Sequence, residues 1–272
     1  MRIQDVDFRD LMTLEPHGPD TYVGAAAEYP WGERLYGGQV VAQGLRAAQL
    51  TVTSDRPAHS LHAYFIRPGT HGEPIRFEVE RLRDGRSFAT RQVVARQSTG
   101  AILNLSVSFQ RHEDEADVQL AALPADLPGP DDPSVVDQRW WGGLLDRRAV
   151  PMPYGGYWIR LLTALGEDPA LQACALAFVS DAAPSRAARS PHPELSGDES
   201  DRGRFQGASL DHSLWFHRPA DMTEWHWFDT QSHGLHGARG VVTGDVISAA
   251  GVHVATMAQE VLLRKLRSDP SG

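Results

Sequence analysis

The chain has 272 residues, a net charge of −9 and 41% apolar residues, which allows one large domain or two small ones with a sizeable core. The acidic balance and the lack of a long basic run exclude nucleic acid as the main partner. Cys174 is the only cysteine, so an intramolecular disulfide is excluded. The first ten residues lack the apolar core of a signal peptide, and no apolar run reaches the roughly 20 residues of a membrane span. These features predict a cytoplasmic protein without a membrane span.

The first half of the chain alternates strongly between apolar and polar residues. A helix is predicted over Gln39–Thr53, where apolar residues recur with helical spacing after a break at Gly37-Gly38. A turn at Asp84-Gly85 is a strong hairpin signal. The further predicted elements are a short helix over Val6–Leu14 and strands over Thr21–Tyr29, His59–Arg67, Ile75–Leu82, Phe88–Ser98 and Ala101–Gln110. The main part of this half therefore reads as one helix followed by four strands.

The middle of the chain has a different composition. Residues 111–138 are acidic and proline-rich without periodicity, which predicts an exposed, partly mobile linker between units at 1–110 and 139–272. The aromatic stretch at 139–166 predicts an extended arm and then a short helix over Tyr157–Leu165. Residues 184–204 predict a polar loop.

A second long helix is predicted to start at Asp168-Pro169, a cap followed by proline in the first turn, and to end at Asp181. The dipole of a helix disfavours a carboxylate at its C-terminal end. Asp181 is therefore not placed there to stabilise its own helix. A solvated terminal aspartate is the simpler alternative.

The last third of the chain reads as consecutive antiparallel strands. Alternation in Ser209–Arg218 predicts one face with Leu210, His212, Leu214 and Phe216 and another with Ser209, Asp211, Ser213 and Trp215. In Val252–Leu263 the odd positions form a mostly apolar face with Gln259 in its middle. A buried amide without a hydrogen-bond partner costs free energy, so Gln259 requires either a backbone partner or a functional role.

The two halves match at an offset of 151 residues, which predicts a duplicated helix-plus-sheet unit. The matched pairs are Arg67-Pro68 with Arg218-Pro219, Tyr64-Phe65 with Trp215-Phe216, and Gly100 with Gly251. At the same offset Ser209 corresponds to Ala58 and Gln259 to Ser108, and the first helix has no acid to match Asp181. The set Asp181, Ser209 and Gln259 thus occurs only in the second copy, as a duplication that keeps one working site predicts; ordinary drift would leave the same difference.

These residues resemble the type II acyl-CoA thioesterase family over nearly the whole chain, outside 111–138 and 184–204. The matching stretches are Y-G-G-Q-V-V-A-Q-G-L-R-A-A at 36–48, H-A-Y-F-I-R-P-G at 62–69, D-G-R-S-F-A-T-R at 84–91, S-V-S-F-Q at 106–110, S-L-D-H-S-L-W-F-H-R-P at 209–219 and T-M-A-Q-E-V-L-L-R at 256–264. The resemblance implies an α+β double-hotdog fold, in which two helix-plus-antiparallel-sheet repeats join edge to edge into one continuous sheet.

The resemblance also implies hydrolysis of fatty acyl-CoA to a free acid and CoA, without a metal or cofactor, by a homo-oligomer of two or more chains. The family's catalytic aspartate, hydroxyl residue and glutamine fall on Asp181, Ser209 and Gln259. The 184–204 loop between Asp181 and Ser209 departs from the expected pattern. In this chemistry Asp181 accepts a proton from water, while Ser209 and Gln259 hold that water in place.

The helix start at Gly37, Gly38 and Gln39 is the candidate oxyanion and substrate-binding site, because backbone N–H groups there can face developing negative charge. The alternative is that the two glycines only form a tight turn from strand to helix.

Other chemistries fit the sequence less well. The histidines of the last third match no closed zinc site in their spacing. No G-x-S-x-G turn surrounds Ser209, and alternation points Asp211 and His212 in opposite directions, against a Ser-His-Asp set. Two alternatives stay open: a non-catalytic acyl-CoA-binding protein, and an enoyl-CoA hydratase on the same fold, for which no convincing acid–histidine dyad is found.

Overall fold

The computed structural model describes residues 2–138, 143–195 and 203–266. Within these ranges the chain forms four α-helices and fourteen strands of one sheet. The helices are α1 (Phe8–Leu11), α2 (Gly37–Gln49), α3 (Pro169–Ser180) and α4 (Pro184–Arg189). The strands are β1 (Glu15–Pro16), β2 (Thr21–Gly24), β3 (Ala58–Phe65), β4 (Ile75–Asp84), β5 (Phe88–Gln97), β6 (Gly100–Gln110), β7 (Val136–Asp137), β8 (Leu145–Ala149), β9 (Tyr157–Leu161), β10 (Phe205–Ser209), β11 (Asp211–Phe216), β12 (His226–His236), β13 (Arg239–Ser248) and β14 (His253–Lys265).

The strand order of the sheet shows the duplication directly. The first copy runs β2-β4-β5-β6-β3, and the second continues from it as β11-β14-β13-β12-β9, the same order reversed. The copies join where β3 and β11 pair antiparallel, with His62 opposite Ser213. These two residues are 151 positions apart, so a pseudo-twofold axis passes between them, and the His62 Nδ1 to Ser213 Oγ distance is 3.0 Å. The continuous double-hotdog sheet is thereby confirmed.

Helices α2 and α3 lie side by side and antiparallel beneath this sheet. The start of α2 contacts the end of α3, since the Tyr36 hydroxyl donates to the carbonyl oxygen of Phe178 at 2.6 Å. At the other end, the Gln49 amide donates to the carbonyl oxygen of Ala170 at 3.1 Å. Ten of the thirteen residues of α2 and eight of the twelve residues of α3 are buried, which matches the apolar composition of both helices. The antiparallel arrangement brings the N-terminus of one helix to the C-terminus of the other.

The predicted helix over Tyr157–Leu165 is wrong, because the chain forms strand β9 there. The segment Y-W-I-R-L is a short, almost fully buried apolar run, and periodicity alone does not separate a buried strand from a helix in such a run. Strand β9 pairs with β8 and β12 and occupies the place that β2 has in the first copy. Each copy therefore has five main strands with the helix after the first, and not a helix followed by four strands.

The region predicted as a polar loop at 184–204 begins with a helix, α4, so that part of the prediction is wrong. The small residues Ala187 and Ala188 of α4 pack against Val242 and Val261 of the second sheet half. Proline at the first helical position allows α4 to begin only a few residues after α3. Residues 196–202 of the predicted loop lie outside the described residues.

The predicted linker at 111–138 is largely exposed, as expected, but it ends in strand β7, which pairs with β8, and hydrogen bonds attach the rest of it to the second copy. Gln119 donates to the carbonyl oxygen of Gly251 at 2.8 Å and accepts from the N–H of His253 at 2.9 Å. The Trp158 indole donates to the carbonyl oxygen of Pro128 at 2.8 Å. The division into units at 1–110 and 139–272 stays a prediction. None of the described helices combines the length and apolar character needed to cross a bilayer.

Candidate functional site

Asp181 ends α3 and faces the first turn of α2. Its Oδ2 accepts a hydrogen bond from the backbone N–H of Gly38 at 2.8 Å, and its side chain is buried. The C-terminal dipole of α3 disfavours this carboxylate, but the N-terminal dipole and free N–H groups of α2 favour it. The position that is unfavourable within its own helix is therefore stabilised by the neighbouring helix.

The glycines at the start of α2 allow this close approach. A Cβ atom at Gly38 would lie 2.4 Å from the carbonyl oxygen of Phe178, and one at Gly37 would lie 2.8 Å from Asp181 Oδ2. Both separations are too short for a side chain: one at Gly38 would force the backbones of the two helices apart, and one at Gly37 would displace the Asp181 carboxylate. The two glycines are thus required for the contact between α2 and α3, whether or not they bind substrate.

Ser209 and Gln259 meet the other oxygen of the same carboxylate. Asp181 Oδ1 accepts from Ser209 Oγ at 3.0 Å and from Gln259 Nε2 at 2.9 Å, and Gln259 Nε2 also donates to Ser209 Oγ. The structure therefore brings together the three residues that the sequence predicted as catalytic. Three donors on two oxygens favour the ionised form of a carboxylate.

The expected face of Ser209 is wrong, and a β-bulge is the reason. Ser209 pairs with Val261 and Ser213 with Ala258, so four steps along β10 and β11 match three steps along β14. The extra residue reverses the alternation and turns Ser209 to the same side as His212. Asp211 stabilises the bulge, since its Oδ1 accepts from the backbone N–H of Glu260 at 2.6 Å.

His212 contacts Gln259 on the side that faces away from Asp181, and no role is predicted for it from the sequence. Its ring is fully buried, with Nδ1 at 3.0 Å from Gln259 Oε1 and Nε2 at 2.8 Å from Ser180 Oγ. The signal that could have found it is its inward position in the D-H-S stretch, next to a glutamine on the facing strand. The zinc hypothesis considered this histidine as a metal ligand, whereas in the structure both of its ring nitrogens form hydrogen bonds within the core.

The oxyanion candidates at the start of α2 have different surroundings. The N–H of Gly38 donates to Asp181, and that of Gln39 donates to the carbonyl oxygen of Tyr36. The Gln39 side chain points into the core, where it accepts from the Tyr29 hydroxyl at 2.8 Å and donates to the carbonyl oxygen of Ala25 at 2.8 Å. Gly37 is half-buried at the edge of the site and stays the candidate for holding an oxyanion.

Burial controls the charges of this site. Burial is the largest influence on Asp181 and raises the pKa of its carboxyl, while His212 and the hydrogen bonds from Ser209, Gln259 and Gly38 lower it. Burial likewise lowers the pKa of the His212 imidazole, which is neutral at pH 7 as a result. The pKa of the Tyr36 hydroxyl is raised by burial first and by the charge of Asp181 second. The arrangement thus holds one carboxylate beside neutral donors, away from bulk water.

The first copy has different residues at the equivalent positions. Ser106 pairs with His62 and Ala258 with Ser213, so the last strands match at an offset of 152 and Gln259 corresponds to Val107. The expected correspondence with Ser108 is wrong, because one additional residue precedes the site in the second copy and shifts the alternation.

Arg91 fills this part of the first copy. It pairs with Val107 across β5 and β6, is 1% exposed, and uses all five of its N–H donors. The acceptors are the hydroxyl and carbonyl oxygens of Thr51, the carbonyl oxygens of Arg83 and Thr90, and the carboxylate of Asp84. A guanidinium with structural partners therefore lies in the part of the first copy that corresponds to the Asp181, Ser209 and Gln259 set of the second copy.

Replacement of Arg91 by methionine is expected to lower the free energy of unfolding by about 2–4 kcal/mol, because several buried acceptors lose their donors. Arg96→Met on the same strand is the control. Its partner Glu78 forms an exposed ion pair, so its loss should cost only about 0–1 kcal/mol. Urea unfolding of both variants measures the difference, and equal losses would contradict the structural role of Arg91.

The sequence and the fold of this chain are both similar to those of known proteins. The family model of the acyl-CoA thioesterase N-terminal domain matches residues 26–110, and that of the C-terminal domain matches residues 114–263. Acyl-coenzyme A thioesterase 8 of Mus musculus is 32% identical over 96% of this chain and 90% of its own length. Acyl-CoA thioesterase 2 of Haemophilus influenzae is 32% identical over 85% of this chain and 88% of its own length. The solved structure of an acyl-CoA thioesterase II, TesB2, from Mycobacterium marinum has a TM-score of 0.81 and 33% identity, covering 97% of this chain and 98% of that one. The chain belongs to the acyl-CoA thioesterase family.

Proposed function

We propose that this protein hydrolyses fatty acyl-CoA thioesters to a free fatty acid and CoA, with Asp181 as the general base. The observation that carries the proposal is the direct contact of the Asp181 carboxylate with Ser209 Oγ and Gln259 Nε2, at 3.0 and 2.9 Å, beside the start of α2. Membership of the acyl-CoA thioesterase family supports the substrate class.

In the proposed reaction a water molecule binds to Asp181, Ser209 and Gln259 next to the thioester carbonyl carbon. Asp181 takes a proton from the water while the water oxygen forms a bond to that carbon, and the carbonyl oxygen becomes an oxyanion. The N–H of Gly37 is the donor proposed for the oxyanion. The tetrahedral intermediate then loses CoA as its carbon–sulfur bond breaks, and the proton held by Asp181 passes to the thiolate. Water and thioester are thereby converted to acid and thiol without a covalent enzyme intermediate.

A cleft of about 1240 Å³ is lined by Ala182, the residue after Asp181, although Asp181, Ser209 and Gln259 do not themselves line it. Its walls combine apolar side chains, among them Leu195 and Phe205, with the guanidinium groups of Arg186 and Arg189. We propose that the apolar part receives the acyl or pantetheine chain, and that the arginines face the phosphates of CoA. Self-association and a cytoplasmic location stay predictions.

Replacement of Asp181 by asparagine should lower kcat for thiol release by about 10²–10⁴-fold, the range that loss of a general base produces. The control is Asp55→Asn, which removes an exposed carboxylate beyond the opposite end of α2 and should leave kcat unchanged. A thiol reagent follows CoA release from a series of acyl-CoA chain lengths, and circular dichroism verifies folding.

Three outcomes separate the candidate functions. Full activity in folded Asp181→Asn protein would remove the general-base role. Binding of acyl-CoA without thiol release by the wild-type protein would favour the non-catalytic alternative. Consumption of an enoyl-CoA without thiol release would favour the hydratase.

The pH dependence of kcat/KM tests the base more specifically. Asp181 must be ionised to accept a proton, so activity should fall as pH decreases through its pKa, which burial places above the usual 3.8. The Ser209 hydrogen bond lowers that pKa, so Ser209→Ala should shift the acid limb to higher pH. Ser108→Ala on β6 should leave the profile unchanged. An acid limb that stays in place or moves to lower pH in Ser209→Ala would be incompatible with Asp181 as the titrating base.

A further inference from the structure

Behind Asp181 a chain of polar side chains extends into the core. Ser180 Oγ lies 2.8 Å from His212 Nε2, His212 Nδ1 lies 3.0 Å from Gln259 Oε1, and Gln259 Nε2 lies 2.9 Å from Asp181 Oδ1. Ser180 and His212 have no exposed surface, and Gln259 is 1% exposed. Because water is excluded from this row of hydrogen-bonded side chains, each side chain depends on its neighbour to satisfy its hydrogen-bonding groups.

The direction of every hydrogen bond in the chain follows from the charge of Asp181. An ionised carboxylate only accepts, so the Gln259 amide must turn its Nε2 toward Asp181 and Ser209. The Gln259 oxygen Oε1 then faces His212 Nδ1. Two acceptors do not form a hydrogen bond, so Nδ1 of His212 carries a proton.

The opposite nitrogen of the ring completes the order. The buried imidazole is neutral, so its Nε2 is an acceptor when Nδ1 is protonated. An unprotonated Nε2 can only accept, so the Ser180 hydroxyl, 2.8 Å away, directs its proton to Nε2, although the same hydroxyl also lies 3.1 Å from the carbonyl oxygen of Ala177. Every hydrogen bond in this row of side chains is therefore donated in the same direction, from Ser180 toward Asp181.

We propose that His212 is a positioning residue, which holds the Gln259 amide in the one orientation that presents N–H groups to Asp181 and Ser209. Without the Nδ1–H donor, Gln259 Oε1 has no partner in the core, and a turned amide would place this oxygen against the carboxylate. The proposal deepens the hydrolase function proposed above and rests on it.

The first copy of the fold supplies an internal comparison. Leu61 occupies the position of His212, 151 residues earlier, and it pairs with Val107, the counterpart of Gln259. The copy without the catalytic carboxylate thus has an apolar pair at both positions. A histidine needed only to fill space between sheet and helix would not have to accompany the glutamine.

Kinetics of three variants test the proposal. His212→Leu should lower kcat for thiol release by about 10- to 100-fold with KM within about twofold, because the misplaced amide no longer orients the reacting groups. His212→Asn should recover most of kcat, since its amide N–H can donate from nearly the position of Nδ1. His226→Leu removes a buried histidine outside the site and is the control, with kcat expected to be unchanged. Wild-type kcat in folded His212→Leu, or no recovery in folded His212→Asn, would overturn the positioning role.

The tautomer of His212 gives a readout that needs no turnover. Long-range ¹H–¹⁵N spectra of ¹⁵N-histidine-labelled protein at pH 7.5 should show protonated Nδ1 and unprotonated Nε2 for the ring whose signals disappear in His212→Asn. The opposite tautomer would contradict the proposed order of donors even if the enzyme is active. Failure of the wild-type protein to release thiol from any acyl-CoA would refute the hydrolase function separately.

Discussion

The hydrogen bond from the Gly38 N–H to the Asp181 carboxylate is the contact on which the rest of the site depends. It joins the N-terminus of the helix in the first copy to the C-terminus of the helix in the second, across 143 residues of sequence. Neither copy can form the site alone, because one supplies the positive end of a helix dipole and the other supplies the acid and the strand donors. The pseudo-twofold arrangement of antiparallel helices thus determines where the carboxylate stands, and the bulge in the second copy directs Ser209 toward it.

Two opposing effects set the properties of the carboxylate. Burial disfavours its charge and raises its pKa, whereas the donors Gly38, Ser209 and Gln259 favour the charge and lower the pKa. Burial is the largest single influence, and the donors limit its effect. A carboxylate with a raised pKa is a stronger proton acceptor than a solvated one, and the three donors favour its ionised form, which general-base catalysis requires. In the corresponding region of the first copy, the Arg91 guanidinium donates all of its hydrogen bonds to acceptors that only support the fold.

Much of this arrangement could be predicted from the sequence, and the exceptions have physical reasons. The motifs of the family and their occurrence in the second copy alone predict Asp181, Ser209 and Gln259 as a set, and the structure brings these three side chains into contact. The face of Ser209 was wrong because strict alternation does not register a bulge, and the counterpart of Gln259 was wrong because one extra residue shifts a period of two. Strand β9 was mistaken for a helix because its buried run is short.

Other features depend on contacts that no local pattern contains. The N–H of Gly38 was proposed for an oxyanion, but its acceptor is a side chain from a distant part of the chain. The inward position of His212 followed correctly from alternation, whereas its partners Ser180 and Gln259 come from a helix and from another strand. Long-range partners of this kind become visible only once the sheet order and the helix pairing are known.

A single-turnover experiment in H₂¹⁸O tests the central claim most directly, since it reports whether water attacks the thioester itself. With enzyme in excess over acyl-CoA, the account predicts one ¹⁸O atom in the fatty acid after the first turnover and no label in the peptide that contains Asp181. Label in the Asp181 carboxyl group together with unlabelled fatty acid would show that the carboxylate attacks the substrate, and would contradict the role of Asp181 as a base.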